Sequence, residues 1–237
     1  MGLEKQSQAL AFLFPTPYSL FMSELVKMVN LLPTQGESKL YSFDEFIAWY
    51  PHDGKRYELH DGIIIEMPKP TGMHSDVAGF IAGILFMEIL RLKLPFSIPK
   101  ECIVAIENSS YEPDVIVLDK NQVQQNEPRW QKESIIIRGD SIPLIIEVVF
   151  TNWSDDYALK MDEYEYLGIR EYWIVDYLGL GGRKFIGNPK RPTVSVYQLI
   201  NGEYEVSQFR NDERIISTVF PELNLTAQQI FLGSLWS

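Results

Sequence analysis

The segment from Ile142 to Phe150 constrains the fold more than any other part of this chain. Its sequence, IPLIIEVVF, is a continuous apolar run that contains one charged residue, Glu147. Such a run is typical of a central strand that is covered on both faces, because a strand with one wet face alternates apolar and polar residues. The sequence therefore predicts a sheet that lies between two layers of other elements.

The two elements that follow this run predict that the sheet is at least partly parallel. Residues 154–168 have the pattern of a helix, with Ser154 as N-cap and Gly168 as C-cap. Residues 171–177, EYWIVDY, then have the pattern of another strand. A strand, a helix and a strand at this spacing imply a right-handed crossover between two parallel strands.

The remaining patterns complete an α/β (α+β) domain, in which helices flank a mixed central sheet and a β-hairpin is added near the C-terminus. Ser42 and Glu45 form a capping box, so a helix is predicted to start at Phe43. Asp-Gly at 61–62 and Asn-Gly at 201–202 predict hairpins. The other predicted elements are a long apolar helix at 74–93, strands at 95–106 and 112–119, a polar loop at 121–132 and a short helix in the segment 220–231.

Length and composition indicate a globular domain at 41–237 after an N-terminal extension, residues 1–40. The extension contains a short amphipathic pattern at 17–32. Its longest apolar run, residues 9–14, is far below the roughly 20 residues of a membrane helix. The single cysteine, Cys102, excludes an intrachain disulfide and a multi-cysteine zinc site, and is interpreted as a core residue. We therefore expect a cytoplasmic protein without a membrane segment.

Two acidic residues stand in apolar strands where a lone carboxylate is costly. Asp114 follows Pro113 and opens the strand VIVLD, and Glu147 lies within the central run. If their strands are neighbours, the two carboxylates lie within a few ångströms and must share a proton or bind a cation. A hard divalent ion such as Mg²⁺ takes this ligand set. The alternative is two unrelated acids, one capped by a loop and the other paired with a base.

Lys160 is a basic residue on the predicted helix that follows Glu147. In the predicted helix, Tyr157, Met161 and Tyr164 form one stripe, and Lys160 lies beside it. On this periodicity Lys160 faces the sheet and needs an acid there. The alternative interpretation is a surface pair with Asp156, which stabilises a helix by only a few tenths of a kcal/mol. Periodicity alone leaves both interpretations open.

Several segments together resemble a known family. RYELHDG, YEPDVIVLD, IIEVV, DDYALKMDEYEYLGIREYWIVD and FPELNLT are similar to the Uma-type family of bacterial restriction endonuclease-like proteins, within the PD-(D/E)xK nuclease superfamily. The resemblance runs from about Ser42 to Phe231. It implies a restriction-endonuclease-like fold, hydrolysis of DNA phosphodiester bonds with Mg²⁺ or Mn²⁺, and a homodimer.

The resemblance also implies roles for individual residues. Asp114 and Glu147 match the metal-binding acids of the superfamily. The superfamily's lysine would stand at Val149, and in this branch a helix lysine replaces it, which here is Lys160. Phe150 stands where the branch usually has a small hydroxyl residue.

Two further residues match recurrent polar positions of the family. Glu58 lies in YELHDG, and His74 opens the long helix. Both are candidate catalytic residues; the alternatives are a surface acid of the hairpin for Glu58 and a helix-capping contact for His74. The two other histidines, His52 and His60, are interpreted as surface residues.

The charge distribution bears on nucleic-acid binding in two ways. The net charge of −11 repels polyanions at long range. The segment GGRKFIGNPKRP, 181–192, is a local exception because it carries Arg183, Lys184, Lys190 and Arg191 without an acid. It is a candidate for contacts with DNA phosphates, and the alternative is an ordinary solvated loop.

The sequence leaves a second class of function open. In it, the same fold is a catalytically inactive module for interaction or nucleic-acid binding, which Val149, Phe150 and the acidic balance favour. A glycosidase needs two acids that lie about 5–10 Å apart and flank an open cleft. Asp114 and Glu147 are predicted on buried strands, so this function is poorly supported. The metal-dependent endonuclease is the function that the sequence favours.

Overall fold

The structure is a computed structural model that describes residues 39–151 and 153–233. Contacts divide the chain into residues 1–39 and a unit that begins at Leu40, and the fold below is that of the second unit. The amphipathic pattern at 17–32 lies outside the described residues, and the domain boundary at 40 stays a prediction. None of the described helices is long and apolar enough to cross a membrane.

Seven helices and eleven strands occur in the described residues. The helices are α1 (Phe43–Trp49), α2 (Gly72–Leu92), α3 (Lys120–Asn126), α4 (Trp130–Glu133), α5 (Lys160–Leu167), α6 (Arg183–Ile186) and α7 (Ala227–Leu232). The strands are β1 (Tyr57–His60), β2 (Ile63–Glu66), β3 (Phe96–Ser97), β4 (Ile103–Ile106), β5 (Ser109–Tyr111), β6 (Val115–Asp119), β7 (Ile135–Ile136), β8 (Leu144–Val148), β9 (Glu171–Asp176), β10 (Thr193–Ile200) and β11 (Glu203–Phe209).

The predicted central run forms β8, in the interior of a six-stranded sheet with the order β11-β10-β9-β8-β6-β3. All five residues of β8 are buried. β8 and β9 pair in parallel, and the other neighbours in this sheet pair antiparallel, so the predicted mixed sheet is confirmed. β10 and β11 form the predicted C-terminal hairpin, whose turn residues Asn201 and Gly202 both have positive φ.

The domain also contains a second sheet of five short strands, with the order β2-β1-β5-β4-β7. Its first two strands form the predicted hairpin, with Asp61 and Gly62 at positive φ in the turn. This sheet matters for function because β1 carries Glu58.

Two apolar cores cover the two faces of the main sheet. One core contains the buried side of α2 and residues of α7, packed against the strand residues that include Ile146. The other contains Tyr157 and Tyr164, packed against strand residues that include Ile145. Apart from Glu147, β8 is apolar because it contributes residues to both cores.

Replacement of Ile146 by alanine is expected to lower the free energy of unfolding by about 2–5 kcal/mol, since the side chain is fully buried and leaves a cavity. Urea unfolding followed by circular dichroism measures the change. The matched control is Ile63→Ala on β2, where the side chain is 46% exposed and the expected change is about 0.5 kcal/mol. Equal losses in both variants would contradict the central position of β8.

Three predictions about local structure are wrong. The strand predicted at 95–106 is two short strands, β3 and β4, which belong to different sheets. The segment predicted as a polar loop at 121–132 contains α3 and α4, because the Asp119 side chain caps α3 by accepting hydrogen bonds from the backbone amides of Asn121 and Gln122. Ser154 is not an N-cap: its backbone is helical and its hydroxyl donates to Asp155. A π-helical turn, Asp155–Leu159, leads from there into α5.

Candidate active site at the end of strand β8

The two acids of the sequence motif lie opposite each other on neighbouring antiparallel strands. Val115 of β6 pairs with Ile146 of β8, so Asp114 comes opposite Glu147. The Asp114 amide donates to Glu147 Oε2 at 3.4 Å, and the Val148 amide donates to Asp114 Oδ2 at 2.8 Å. Glu147 is 3% exposed, whereas the Asp114 side chain remains partly open.

Lys160 reaches this pair from the helix that follows β8. Its side chain is almost fully buried, and Nζ lies 3.1 Å from Glu147 Oε1, 3.2 Å from Glu58 Oε1 and 3.7 Å from Asp156 Oδ1. The π-helical turn precedes it directly, and the Lys160 amide bonds to the Asp155 carbonyl five residues back. π-helical turns are rare in proteins, and those that do occur often lie at functional sites.

Glu58 joins the site from β1. It is 2% exposed, and its Oε1 also accepts a hydrogen bond from the Glu112 amide at 3.3 Å. His60 Nε2 lies 2.9 Å from Glu58 Oε2, and the His60 side chain is 13% exposed. The prediction of a surface position is therefore wrong for His60, whereas His52 is exposed.

His74 reaches the site from the first turn of α2. The helix starts after Thr71, whose hydroxyl accepts from the His74 amide. His74 Nε2 lies 2.9 Å from the Val148 carbonyl oxygen and 3.2 Å from Asp114 Oδ2. Because both neighbours are acceptors, Nε2 carries the proton. Burial lowers the pKa of His74, but the hydrogen bond to Asp114 and its charge outweigh burial, and the pKa is raised overall.

The site holds more negative than positive charge. Four carboxylates, those of Glu147, Glu58, Asp156 and Asp114, act on Lys160, and they raise its pKa well above the usual value although burial lowers it. Burial raises the pKa of Glu147 to about 7 against the opposing effect of Lys160. Burial likewise raises the pKa of Asp156 far above its ordinary value. The four carboxyl groups outnumber the one ammonium group, and two of them, those of Glu147 and Asp156, keep their protons to a higher pH than free acids do.

With this geometry, the relationship to known proteins can be stated. The model of the family Uma2, described as "Putative restriction endonuclease", matches residues 43–228. The chain belongs to the Uma2 family. A search of curated proteins gives no match.

A solved structure shares the fold of this Uma2 chain. It is described as "a putative nuclease belonging to DUF820 from Anabaena variabilis ATCC 29413", with a TM-score of 0.64 and 20% sequence identity. The match covers 82% of this chain and 99% of that one. The predicted restriction-endonuclease-like fold and the predicted family are thus confirmed.

Sequence reasoning missed two side chains of the site in the Uma2 chain. Asp156 appeared only as a surface partner of Lys160, yet it is 3% exposed. The Tyr164 hydroxyl donates to Glu147 Oε1 at 3.1 Å. The signal was present, because Asp156, Lys160 and Tyr164 are four residues apart and so lie on one face of the helix.

The basic segment of the Uma2 chain does not contact the carboxylates. Arg183 and Lys184 lie in α6, and Lys190 donates to the Leu180 carbonyl at 2.8 Å. Lys190 Nζ also lies 5.8 Å from the centre of the Trp153 ring. These residues are exposed, and they follow β9 on the same edge of the sheet as the site.

The site opens into a small pocket of about 40 Å³. All five predicted catalytic residues line it, together with Phe150. In the described part of the chain, no three histidine, cysteine or acidic side chains are grouped to hold a metal ion. The donor set, two neighbouring carboxylates in an excess of negative charge, fits Mg²⁺, which binds through one or two carboxylates and completes its shell with water and substrate phosphate. It does not fit zinc, which requires three or four protein ligands.

Proposed function

We propose that this protein is a divalent-metal-dependent DNA endonuclease, with Asp114 and Glu147 as ligands of Mg²⁺ or Mn²⁺. The observation that carries the proposal is the distance of 3.1 Å between Lys160 Nζ and Glu147 Oε1. This contact joins a lysine of the following helix to the second acid, in a chain whose family carries the description "Putative restriction endonuclease".

In this proposal, each polar side chain has a distinct task. Asp114 and Glu147 would hold the divalent ion, which would supply positive charge to the scissile phosphate and lower the pKa of the attacking water. Lys160 orients that water or offsets the charge that develops on the phosphate. His74 holds the Asp114 carboxylate, and Glu58 fixes the ammonium of Lys160.

The position of the lysine also supports the proposal. Val149 stands where the superfamily has its lysine, and its side chain is fully buried in an apolar core. An ammonium group at Val149 would therefore lack a polar partner, whereas Lys160 is surrounded by carboxylates. The homodimer and the cytoplasmic location stay predictions from the sequence.

One specific feature favours the second candidate function, an inactive nucleic-acid-binding module. Phe150 lines the pocket, and its ring centre lies 6.2 Å from that of His74. A phenyl ring beside the carboxylates narrows the space for a phosphate. The two functions differ in the binding of metal and in cleavage.

We expect the wild-type protein to nick supercoiled plasmid in Mn²⁺ or Mg²⁺ and not in EDTA. The test adds isothermal titration with Mn²⁺, in which one saturable site is expected. Metal binding without nicking would support the inactive module. Nicking that persists in EDTA would contradict the metal-dependent mechanism.

A further inference from the structure

A second pocket lies away from the carboxylates and has the opposite charge. Its lining residues are Arg191, Pro192, Arg210, Asn211, Gln228 and Phe231. The volume of the pocket is about 240 Å³. Two arginines and two residues with side-chain amides are thus among the lining residues, and no acidic residue is, although the chain as a whole has a net charge of −11.

Among the residues that the structure describes, neither guanidinium group is paired with a carboxylate, and that of Arg210 is held in place by hydrogen bonds. Arg210 donates to Thr193 Oγ1 at 3.0 Å, to Gln208 Oε1 at 2.7 Å and to the Ile186 carbonyl at 3.4 Å, all of them uncharged acceptors. The nearby acid Glu213 accepts from the backbone amide of Arg210. Within the described ranges, the Arg191 side chain has no hydrogen bond or ion pair. Both positive charges are thus free to act on a ligand.

The strand register places this pocket on the same edge of the sheet as the candidate active site. Val148, Val175, Val194 and Phe209 form one row across β8, β9, β10 and β11. Arg210 directly follows the last member of this row. Three strand spacings of about 4.8 Å separate β8 from β11, so the pocket lies roughly 14 Å across the edge from Glu147.

Arg210 and Glu147 also lie on the same face of the sheet. Arg210 donates to the carbonyl of Ile186, whose side chain belongs to the core that contains Tyr164. Tyr164 in turn donates to Glu147. The pocket spans the edge of the sheet, because Gln228 and Phe231 belong to α7, which packs in the core on the other face. A linear substrate that runs along this edge would therefore meet both sites.

We infer that Arg191 and Arg210 form a subsite for a backbone phosphate of DNA, at a position along the DNA away from the scissile phosphate. The inference rests on the proposed function for the position of the scissile bond. Guanidinium groups suit a phosphate because their planar donors bind two oxygens at once. The net charge of −11 repels DNA at long range, so this protein needs a local positive site to hold a polyanion, and the subsite supplies one.

The test is the salt dependence of DNA binding. Fluorescence anisotropy with a labelled 20-base-pair duplex is measured in EDTA, where the proposed nuclease does not cleave. Each phosphate contact contributes about 0.9 to the slope of log K against log salt. We expect Arg191→Gln and Arg210→Gln each to lower the slope by about one, and the double variant to bind on the order of tenfold more weakly.

The matched control is Arg170→Gln, which removes the same charge from an exposed residue at the opposite end of β9. Its slope is expected to equal that of the wild type. If Arg170→Gln and Arg191→Gln lower the slope equally, the change in net charge alone explains the effect. The proposed subsite would then be wrong. The Arg210 side chain makes several hydrogen bonds, so Arg210→Gln can weaken DNA binding by destabilising the fold. The Arg191 side chain makes none in the part of the chain that the structure describes, so Arg191→Gln tests the subsite without this effect.

The plasmid assay on the same variants separates the two proposals. If the wild-type protein does not nick plasmid but Arg191→Gln lowers the slope, the nuclease proposal fails and the subsite stands. If the wild-type protein nicks and the slope is unchanged in both variants, the subsite is wrong and the nuclease stands. If the wild-type protein does not bind the duplex, or if deoxyadenosine monophosphate binds as tightly as the duplex, a DNA backbone subsite is excluded.

Discussion

The Asp114→Asn variant is expected to lose metal-dependent plasmid nicking by on the order of a thousandfold, the upper end of what loss of one charge-stabilising group costs. Asparagine keeps an oxygen that can accept from the Val148 amide, as Asp114 Oδ2 does at 2.8 Å. The local geometry is thus retained, while the anionic ligand for the ion is removed. Saturable Mn²⁺ binding is expected to be lost with the activity.

The stability of the same variant distinguishes a functional acid from a structural one. Asp114 belongs to a group of four carboxylates around one ammonium, so removal of its charge relieves repulsion on Glu147. We therefore expect the free energy of unfolding without metal to stay within about 1 kcal/mol of the wild-type value or to rise. Urea unfolding in EDTA measures it.

The control for this experiment is Asp162→Asn, which makes the same change at an exposed position of α5. It is expected to nick and unfold like the wild type. If Asp114→Asn is less stable by 2 kcal/mol or more, the carboxylate is a structural group and its loss of activity has an indirect cause. If Asp114→Asn still nicks at the wild-type rate, the assignment of the metal ligands is wrong.

The main sheet could be predicted from the sequence because its signals are local. The apolar run of β8 and the Asp-Gly and Asn-Gly turns each specify their own structure within a few residues. The helices α3 and α4 lack such a signal, since their residues are mostly polar and no apolar stripe marks a buried face. There the deciding feature was a cap, Asp119, at the end of a strand.

The site residues could be predicted where a charged residue interrupts the apolar pattern of its own segment. Glu147 and Lys160 stand out because each interrupts an apolar pattern. His60 shows where this reasoning fails: it lies two residues from Glu58 on the same face of β1, yet its burial depends on α5 and Tyr111, whose ring centre is 5.2 Å away. Such contacts between distant segments are absent from any local pattern.

Glu171 is an extreme case of the same limit. It is fully buried, and its carboxylate accepts hydrogen bonds from Ser217, Thr218 and Trp173. Two of these partners lie 46 and 47 residues further along the chain. By the rule applied to Asp114 and Glu147, it would have been a third candidate site residue. The structure shows an acid satisfied by uncharged donors, which anchors the segment after β11.

Replacement of Lys160 by methionine is expected to be costly for stability as well as for activity. Methionine fills similar space but leaves Glu58, Glu147 and Asp156 without their shared countercharge, and loss of one partner from a buried ion pair costs about 3–5 kcal/mol. The exposed control Lys132→Met is expected to change stability by about 0.5 kcal/mol or less. Urea unfolding compares the two variants.

The double variant Lys160→Met/Glu58→Gln separates the structural role of Lys160 from its proposed catalytic role. Glutamine removes one of the uncompensated charges, so the double variant should be more stable than Lys160→Met alone, which makes the two substitutions non-additive. Its nicking rate should nevertheless stay about 100-fold or more below that of the wild type, because no cation faces the phosphate. Recovery of both stability and nicking would show that Lys160 only neutralises the charge of Glu58. The proposed catalytic role of Lys160 would then be wrong.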